Sequence, residues 1–165
     1  MTNEIALNKL INHFQEKILN SREEYGMLIV ETNRESIRSI IEFIRDDSEL
    51  KIDFLTTLCG MHYPENKGKE LGMMYQLHSL VNNYRIRFKV FFPVEDPHIP
   101  SIQDIYSAAN WPERQEYDFF GIKFDGHPNL KRILNVDDMD YSPMRKEYKL
   151  EDGTRTDKDD SFFGR

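Results

Sequence analysis

The chain has 165 residues, 31% of them charged and 39% hydrophobic, and carries a formal net charge of -7. That length fits one domain with room for an appended arm, and the abundance of Phe and Tyr excludes a chain that stays disordered. The acidic balance argues against a general phosphate-backbone binder, no apolar run approaches the roughly 20 residues that cross a bilayer, and the start lacks the apolar block of a secretory signal, so a cytoplasmic chain is expected.

From about 3 to 20, Ile5, Leu7, Leu10, Ile11, Phe14, Ile18 and Leu19 recur at spacings of mostly three and four, which predicts an amphipathic surface helix. "YGMLIVETN" then reads as a strand, and "RESIRSIIEFIRDD" as a helix with Ile37, Ile40, Ile41 and Ile44 on one face. Three more strands are expected in "KIDFLTTLCGMHY", "ELGMMYQLHSLV" and "YRIRFKVFFPV". The last is the clearest, because Tyr84, Ile86, Phe88, Val90 and Phe92 alternate with Arg85, Arg87 and Lys89. One face of that strand can lie on a core while the other meets water or an acidic partner. Asn82 and Asn83 between the last two strands predict a tight antiparallel hairpin, and "HYPENKGKE" an exposed turn.

Helices are expected from Ile102 to Ala109 and from about Trp111 to Phe120. For the second, Asn110 is the expected cap, Pro112 suits the first turn, Glu113 the third position, and Gly121 the stop. Beyond it the apolar clusters are short and without period, as in an arm that gains order by lying on something else. The fold class expected is α/β (α+β): a mixed sheet of about four strands with flanking helices over 1–122, followed by an extended arm over 123–165.

Cys59 is the only cysteine, so no internal disulfide, Cys-rich zinc site or four-thiolate iron-sulfur cluster can be held by this chain alone, and Cys59 itself reads as a small buried hydrophobe. The histidines at 13, 62, 78, 98 and 127 never fall at the spacing that sets two imidazoles on one helical face. Glu113, Glu116 and Asp118 could supply acid and base chemistry, but Arg114 and Asp118 at i and i+4 read first as an ion pair on an exposed helix. The rings of Trp111, Tyr117, Phe119 and Phe120 spread too widely around the axis for one face, and aromatics with Arg are what the desolvated centres of protein interfaces favour. Gly126, His127 and Pro128 read as a rigid turn that His127 orients through a ring hydrogen bond.

Glu113, Arg114, Tyr117, Asp118, Phe120, Gly121, Ile122, Phe124, Gly126, His127, Pro128, Leu130, Arg132, Ile133 and Leu134 together resemble the signature of the 30 kDa subunit family of respiratory complex I, the C subunit of the bacterial enzyme. "SIQDIYSAANW" upstream and "SPMRKEYKLED" downstream are similar to the family's flanking segments. Gln115, Asn129 and Lys131 depart from its pattern, as does "DYSP" where a second Gly-His-Pro is common. The resemblance implies a non-catalytic subunit of the peripheral arm of NADH:quinone oxidoreductase, on the cytoplasmic side of the inner membrane. It implies no cofactor in this chain; FMN, NADH, iron-sulfur clusters and quinone would belong to other subunits. The implied partners are the large hydrogenase-like subunit and the small iron-sulfur subunit, with no nucleic acid and with membrane contact only through the complex. The implied partner interface comprises Trp111, Glu113, Arg114, Tyr117, Asp118, Phe119, Phe120, Gly121, Phe124, Gly126, His127 and Pro128, with Arg132, Arg145 and Lys146 reaching acidic positions on the partners. Two other readings stand beside it: the equivalent subunit of a membrane-bound hydrogenase or formate hydrogenlyase, and a small enzyme using Glu113, Asp118 and His127.

Overall fold

The computed structural model describes residues 2–148. Thr2 caps the first helix, α1 (Asn3–Phe14), by accepting the Ile5 N–H, and the helix lays Ala6, Leu10 and Phe14 into the core. It stops at Gln15, whose φ of 46° breaks the ladder. The helix expected to run to residue 20 is therefore six residues too long, and Ile18 and Leu19 belong to a strand, β1 (Ile18–Glu24). Ile18 continues the four-residue spacing from Phe14, so periodicity alone does not mark the break. An edge strand reading "ILNSREE" offers little alternation to replace it.

Tyr25 and Gly26, both at positive φ, turn β1 into β2 (Met27–Thr32), the tight connection whose twist suits a hairpin. Helix α2 (Arg34–Asp46) starts at Asn33, whose side chain accepts the Ser36 N–H at 2.9 Å. Its four isoleucines, 37, 40, 41 and 44, have no exposed surface, and each such burial contributes roughly 1.5–3 kcal/mol relative to exposure. The chain then runs through β3 (Phe54–His62), β4 (Leu71–Ser79) and β5 (Tyr84–Phe92). The β4–β5 hairpin forms as expected, pairing Ser79 with Tyr84.

The sheet has five strands in the order β1-β2-β5-β4-β3, mixed because β2 and β5 run parallel. One strand more than expected is present, the polar β1. On one face Val30, Met73, Tyr75, Phe88 and Val90 form a single core with α1 and α2. On the other lie Ile29, Arg85, Arg87, Lys89 and their neighbours; Ile29 is buried but apart from that core. Cys59 shares this second face and is half-buried, more open than expected, with its thiol pKa raised by burial first and by Glu116 second.

The expected helix at 102–109 is absent. Only a turn of 3₁₀ helix forms at Ser107–Ala109, and Ile102, Tyr106 and Ala109 reach the core from irregular backbone. The Ile102 N–H is taken by a side chain instead of opening a ladder. Two short strands missed by the sequence reading, β6 (His98–Pro100) and β7 (Lys123–Asp125), pair in parallel around helix α3 (Asn110–Phe120). Ile122 and Phe124 are buried in the core, so the fold continues to Asp125 rather than ending at 122. Segment 126–148 contains no helix or strand, and the tail 149–165, part of the expected arm, lies outside the described residues.

Candidate functional site

Asn110 is the first residue of α3 and not its cap; Ala109 occupies that place with no side-chain bond. Glu113 likewise does not fold back to cap the helix but turns inward. With no exposed surface, it accepts Ser101 Oγ at 2.6 Å and the Ile102 N–H at 2.8 Å. Burial pushes its pKa up to about 7, against the pull of those two bonds. His127 Nε2 lies 3.9 Å away. His127 Nδ1 accepts the Asn129 N–H at 3.1 Å and Nε2 lies 3.3 Å from the Asn110 carbonyl, a pattern that fits the neutral ring protonated on Nε2. Burial lowers its pKa, in keeping with neutrality. The imidazole thus orients the Gly126–Pro128 turn, as the sequence suggested.

One turn on, Glu116 accepts the Gly60 N–H of edge strand β3 at 2.8 Å. Its pKa is also pushed up to about 7 by burial. A Cβ on Gly60 would sit 2.6 Å from Glu116 Oε2 and 2.7 Å from the Phe120 ring, so only glycine lets α3 approach β3 this closely.

Asp118, on the opposite side of α3, has no exposed surface either. It does not pair with Arg114. Oδ1 accepts Arg132 Nη1 at 2.8 Å and Asn135 Nδ2 at 3.0 Å, and Oδ2 accepts the N–H groups of Ile133, Leu134 and Asn135 at 3.1, 2.8 and 3.0 Å. Burial works to raise its pKa, but the bonds from Asn135, Leu134 and Arg132 outweigh it and hold the carboxylate far below its usual range. Arg114 donates to the Lys131 carbonyl at 3.1 Å and stacks its guanidinium 4.7 Å from the Trp111 ring centre. The i, i+4 spacing favours a local pair, but a carboxylate flanked by three amides of one loop gains more than an exposed pair offers.

The last four carbonyls of a helix have no partner within it, and here all four are satisfied. The Gly121 N–H bonds to Tyr117 O, Arg132 to Asp118 O, the Met144 N–H to Phe119 O and Arg145 Nε to Phe120 O. Two of these donors are cations at the negative end of the helix dipole. Gly121, at a φ of 71°, also leaves room for Ser142 and Arg145, which a Cβ would meet at 2.7 and 3.0 Å. Further along, the Lys146 N–H donates to His62 Nδ1 at 3.0 Å and its ammonium lies 5.2 Å from the Tyr63 ring centre.

The expected interface residues therefore divide. Glu113, Asp118 and Phe124 are inside this chain's own fold, contrary to a surface role, and the His127 side chain is enclosed. Tyr117, Phe119, Phe120 and Gly121 are half-buried, while Trp111 is 61% exposed and Gly126, Pro128 and Lys146 lie at the surface. Arg132 and Arg145 bind α3 instead of reaching outward. Five large apolar side chains that the sequence reading did not place at an interface, Leu134, Val136, Tyr141, Met144 and Tyr148, are exposed along one short segment, with Leu134 at 64% and Val136 at 63%. Their only advance signal was being apolar where no helix or strand could bury them. Gly60, Ser101 and Asn135 escaped notice as site residues because their partners lie 12 to 56 residues away, and Glu116 was weighed for acid and base chemistry without its partner.

Carboxylates with pKa values near 7 suit proton transfer, yet Glu113 and Glu116 are sealed from solvent and cannot touch a substrate in this conformation. Among the described residues no group of three or more His, Cys, Asp or Glu is placed to hold a metal ion, and no helix is long and apolar enough to cross a membrane. What the arrangement does is mechanical: Glu113 and Glu116 fasten α3 to the domain, and the equally buried Asp118, on the other side of the helix, fastens the following segment to α3.

The sequence model of the respiratory-chain NADH dehydrogenase 30 kDa subunit family matches residues 30–154. The chain is 43% identical over 135 residues to the C subunit of NADH-quinone oxidoreductase from Mycolicibacterium paratuberculosis, covering 82% of this chain and 56% of that protein. To the protein of the same name in Nocardioides it is 45% identical over 125 residues, covering 76% and 50%. The chain thus spans about half the length of the curated relatives it matches. Among solved structures it superposes on a trypsin-resistant fragment of Nqo5 with a TM-score of 0.65 at 28% identity, covering 76% of this chain and 99% of that one. A chain of the membrane-bound sulfane sulfur reductase, an archaeal respiratory membrane complex, shares the fold with a TM-score of 0.75 at 19% identity, covering 89% of this chain and 85% of that one. The chain belongs to the 30 kDa subunit family of respiratory-chain NADH dehydrogenase.

Proposed function

We propose that this chain is a non-catalytic structural subunit in the peripheral arm of a proton-translocating NADH:quinone oxidoreductase. There it holds the large hydrogenase-like subunit and the small subunit with the terminal iron-sulfur cluster in fixed relation, on the cytoplasmic side of the inner membrane. The observation that carries the reading is the division of labour around α3. The charged groups Glu113, Glu116, Asp118, Arg132 and Arg145 bond within the chain, while Trp111 and the apolar side chains Leu134, Val136, Tyr141, Met144 and Tyr148 face outward among exposed charges such as Asp137, Asp138 and Lys146. Burying such a side chain is worth roughly 1.5–3 kcal/mol, a gain available here only against a second surface. In this reading the arm begins after Asp125 and electron-carrying groups sit in neighbouring subunits.

Relatives that carry the name of the NADH-quinone oxidoreductase C subunit, at 43% and 45% identity, support this machine over a membrane-bound hydrogenase or formate hydrogenlyase. The enclosed state of Glu113 and Asp118 counts against a free-standing enzyme. Gentle solubilisation of membranes with a tag on this chain tests the proposal. The expected result is co-purification with an NADH-binding flavoprotein, a hydrogenase-like large subunit and an iron-sulfur subunit; a [NiFe]-ligating large subunit would favour the hydrogenase, and a lone monomer would overturn both. Leu134→Asp with Val136→Asp should lower that recovery while leaving the isolated chain folded.

A further inference from the structure

On the sheet face turned away from the helices, Arg85, Arg87 and Lys89 occupy alternate positions of β5, a central strand. Alternate residues on a strand are only about 6–7 Å apart, so three cations repel one another along its axis. No ion pair among the described residues involves any of them. Arg87 donates to the neutral Gln76 Oε1 at 2.9 Å. Glu31, opposite Lys89 in the register, accepts Arg22 instead at 3.1 Å. A row of unpaired cations in the middle of a sheet is unexpected in a chain of net charge -7.

Around the row the face mixes polar neighbours, Glu31, Gln76 and His78 in the register, with soft apolar ones. Met27, Met61, Met74 and Phe91 are half-buried there, and the Phe91 ring fills the space that a side chain on Gly72 would take. Methionine, aromatic rings and arginine are the residues that interface centres favour. Carboxylates brought against the row would gain charge-assisted hydrogen bonds that nothing in the described chain supplies.

Resting on the reading of the chain as an assembly subunit, we propose that this sheet face is a second docking surface, distinct from α3 and its arm, and that its occupant is an acidic segment of a neighbouring protein subunit whose carboxylates pair with Arg85, Arg87 and Lys89. Complementary charge would set register and speed of encounter, and the methionines would adapt to the apolar side chains between the carboxylates.

The test compares complex purified through a tagged wild-type chain with complex purified through R85E/R87E/K89E and through the milder R85Q/K89Q, at low and high salt, with zero-length carbodiimide cross-linking of the wild-type complex. Expected are a loss of more than about tenfold in recovery of one subunit with the triple variant, a smaller loss with R85Q/K89Q, and a Lys89 cross-link to an Asp or Glu of that same subunit. Unchanged recovery and salt dependence for both variants would overturn this surface while leaving the assembly reading intact. So would Lys89 cross-links confined to this chain, its tail 149–165 included, or binding of the isolated wild-type chain, but not the variant, to vesicles containing phosphatidylglycerol. A wild-type chain that recovers no partner at all would overturn the assembly reading, and this surface with it.

Discussion

Between α2 and the sheet, four isoleucines without exposed surface meet Val30, Phe88 and Val90, and the contact depends on area and shape alone. Between α3 and segment 126–148 the contact is made of a carboxylate, two guanidinium groups and a series of backbone amides, each at a set distance and angle. Apolar packing tolerates small shifts and is indifferent to pH, so it suits the part that must simply stay folded. Directional bonds fix one register and one path for a segment with no helix or strand of its own, and so suit the part whose outer surface must have a definite shape. The chain uses the first kind of contact to make a domain and the second to hold an apolar row in place outside it.

The difference can be broken most sharply at Asp118. Asp118→Ala removes five hydrogen bonds and leaves Arg132 with carbonyl partners but no carboxylate, a type of loss that costs about 3–5 kcal/mol when a buried pair is split. The cost should fall on docking of residues 130–146 alone. Trypsin cleavage after Arg132 should then speed up by about a hundredfold or more, while urea unfolding of the sheet, followed by far-ultraviolet circular dichroism, moves little. A variant that loses the whole fold would show that the two regions are not separable.

Next in size is the response to pH. Glu113 and Glu116 have folded pKa values of about 7, above the ordinary 4.5. The stability this represents is fully present below pH 4.5 and is lost as pH rises through 7, on the order of 3 kcal/mol for each group. Asp118 is shifted the other way, so its contribution is present above the ordinary carboxylate range and disappears only in strong acid. Chemical denaturation between about pH 5 and pH 8 should therefore show falling stability, on the order of 3 kcal/mol per carboxylate. Glu116→Gln, which keeps an acceptor for Gly60, should flatten that slope by about one proton.

Smaller effects follow on the two sides of α3. Gly60→Ala forces Glu116 and Phe120 aside and should destabilise by about 1–3 kcal/mol in thermal unfolding. Arg114→Ala removes a stacked cation from an exposed ring and one bond to a carbonyl, and should cost about 0.5–1 kcal/mol. If the two substitutions proved equal, the inward side of α3 would not be the tighter one.

Much of the apolar part was legible in the sequence, because its signals are local and periodic. The isoleucine spacing in α2, the alternation in β5, the two asparagines of the hairpin and the glycine that ends α3 each announce themselves within a short window. β1 was not legible, since an edge strand of polar residues has no face to advertise and Ile18 continued the rhythm of the helix before it. At α3 the density of charge and rings was legible, but the bonding partners of the charged groups were not. Arg114 and Asp118 at i and i+4 suggested each other, whereas Asp118 bonds to residues 14 to 17 positions on and Glu116 to one 56 positions back. No window of sequence holds such pairs together; the close approach of α3 to Gly60, and of Arg145 to Gly121, creates them.

Amide hydrogen exchange on the isolated chain, at Ile133, Leu134, Asn135 and Met144, tests the central claim most directly. The account predicts that these four are protected although they lie in neither helix nor strand, and that Asp118→Asn releases the first three while amides of β4 and β5 exchange as before. Exchange of all four at the rate of an unfolded peptide in the wild-type chain would contradict it, because the arm would then owe its path entirely to whatever covers it.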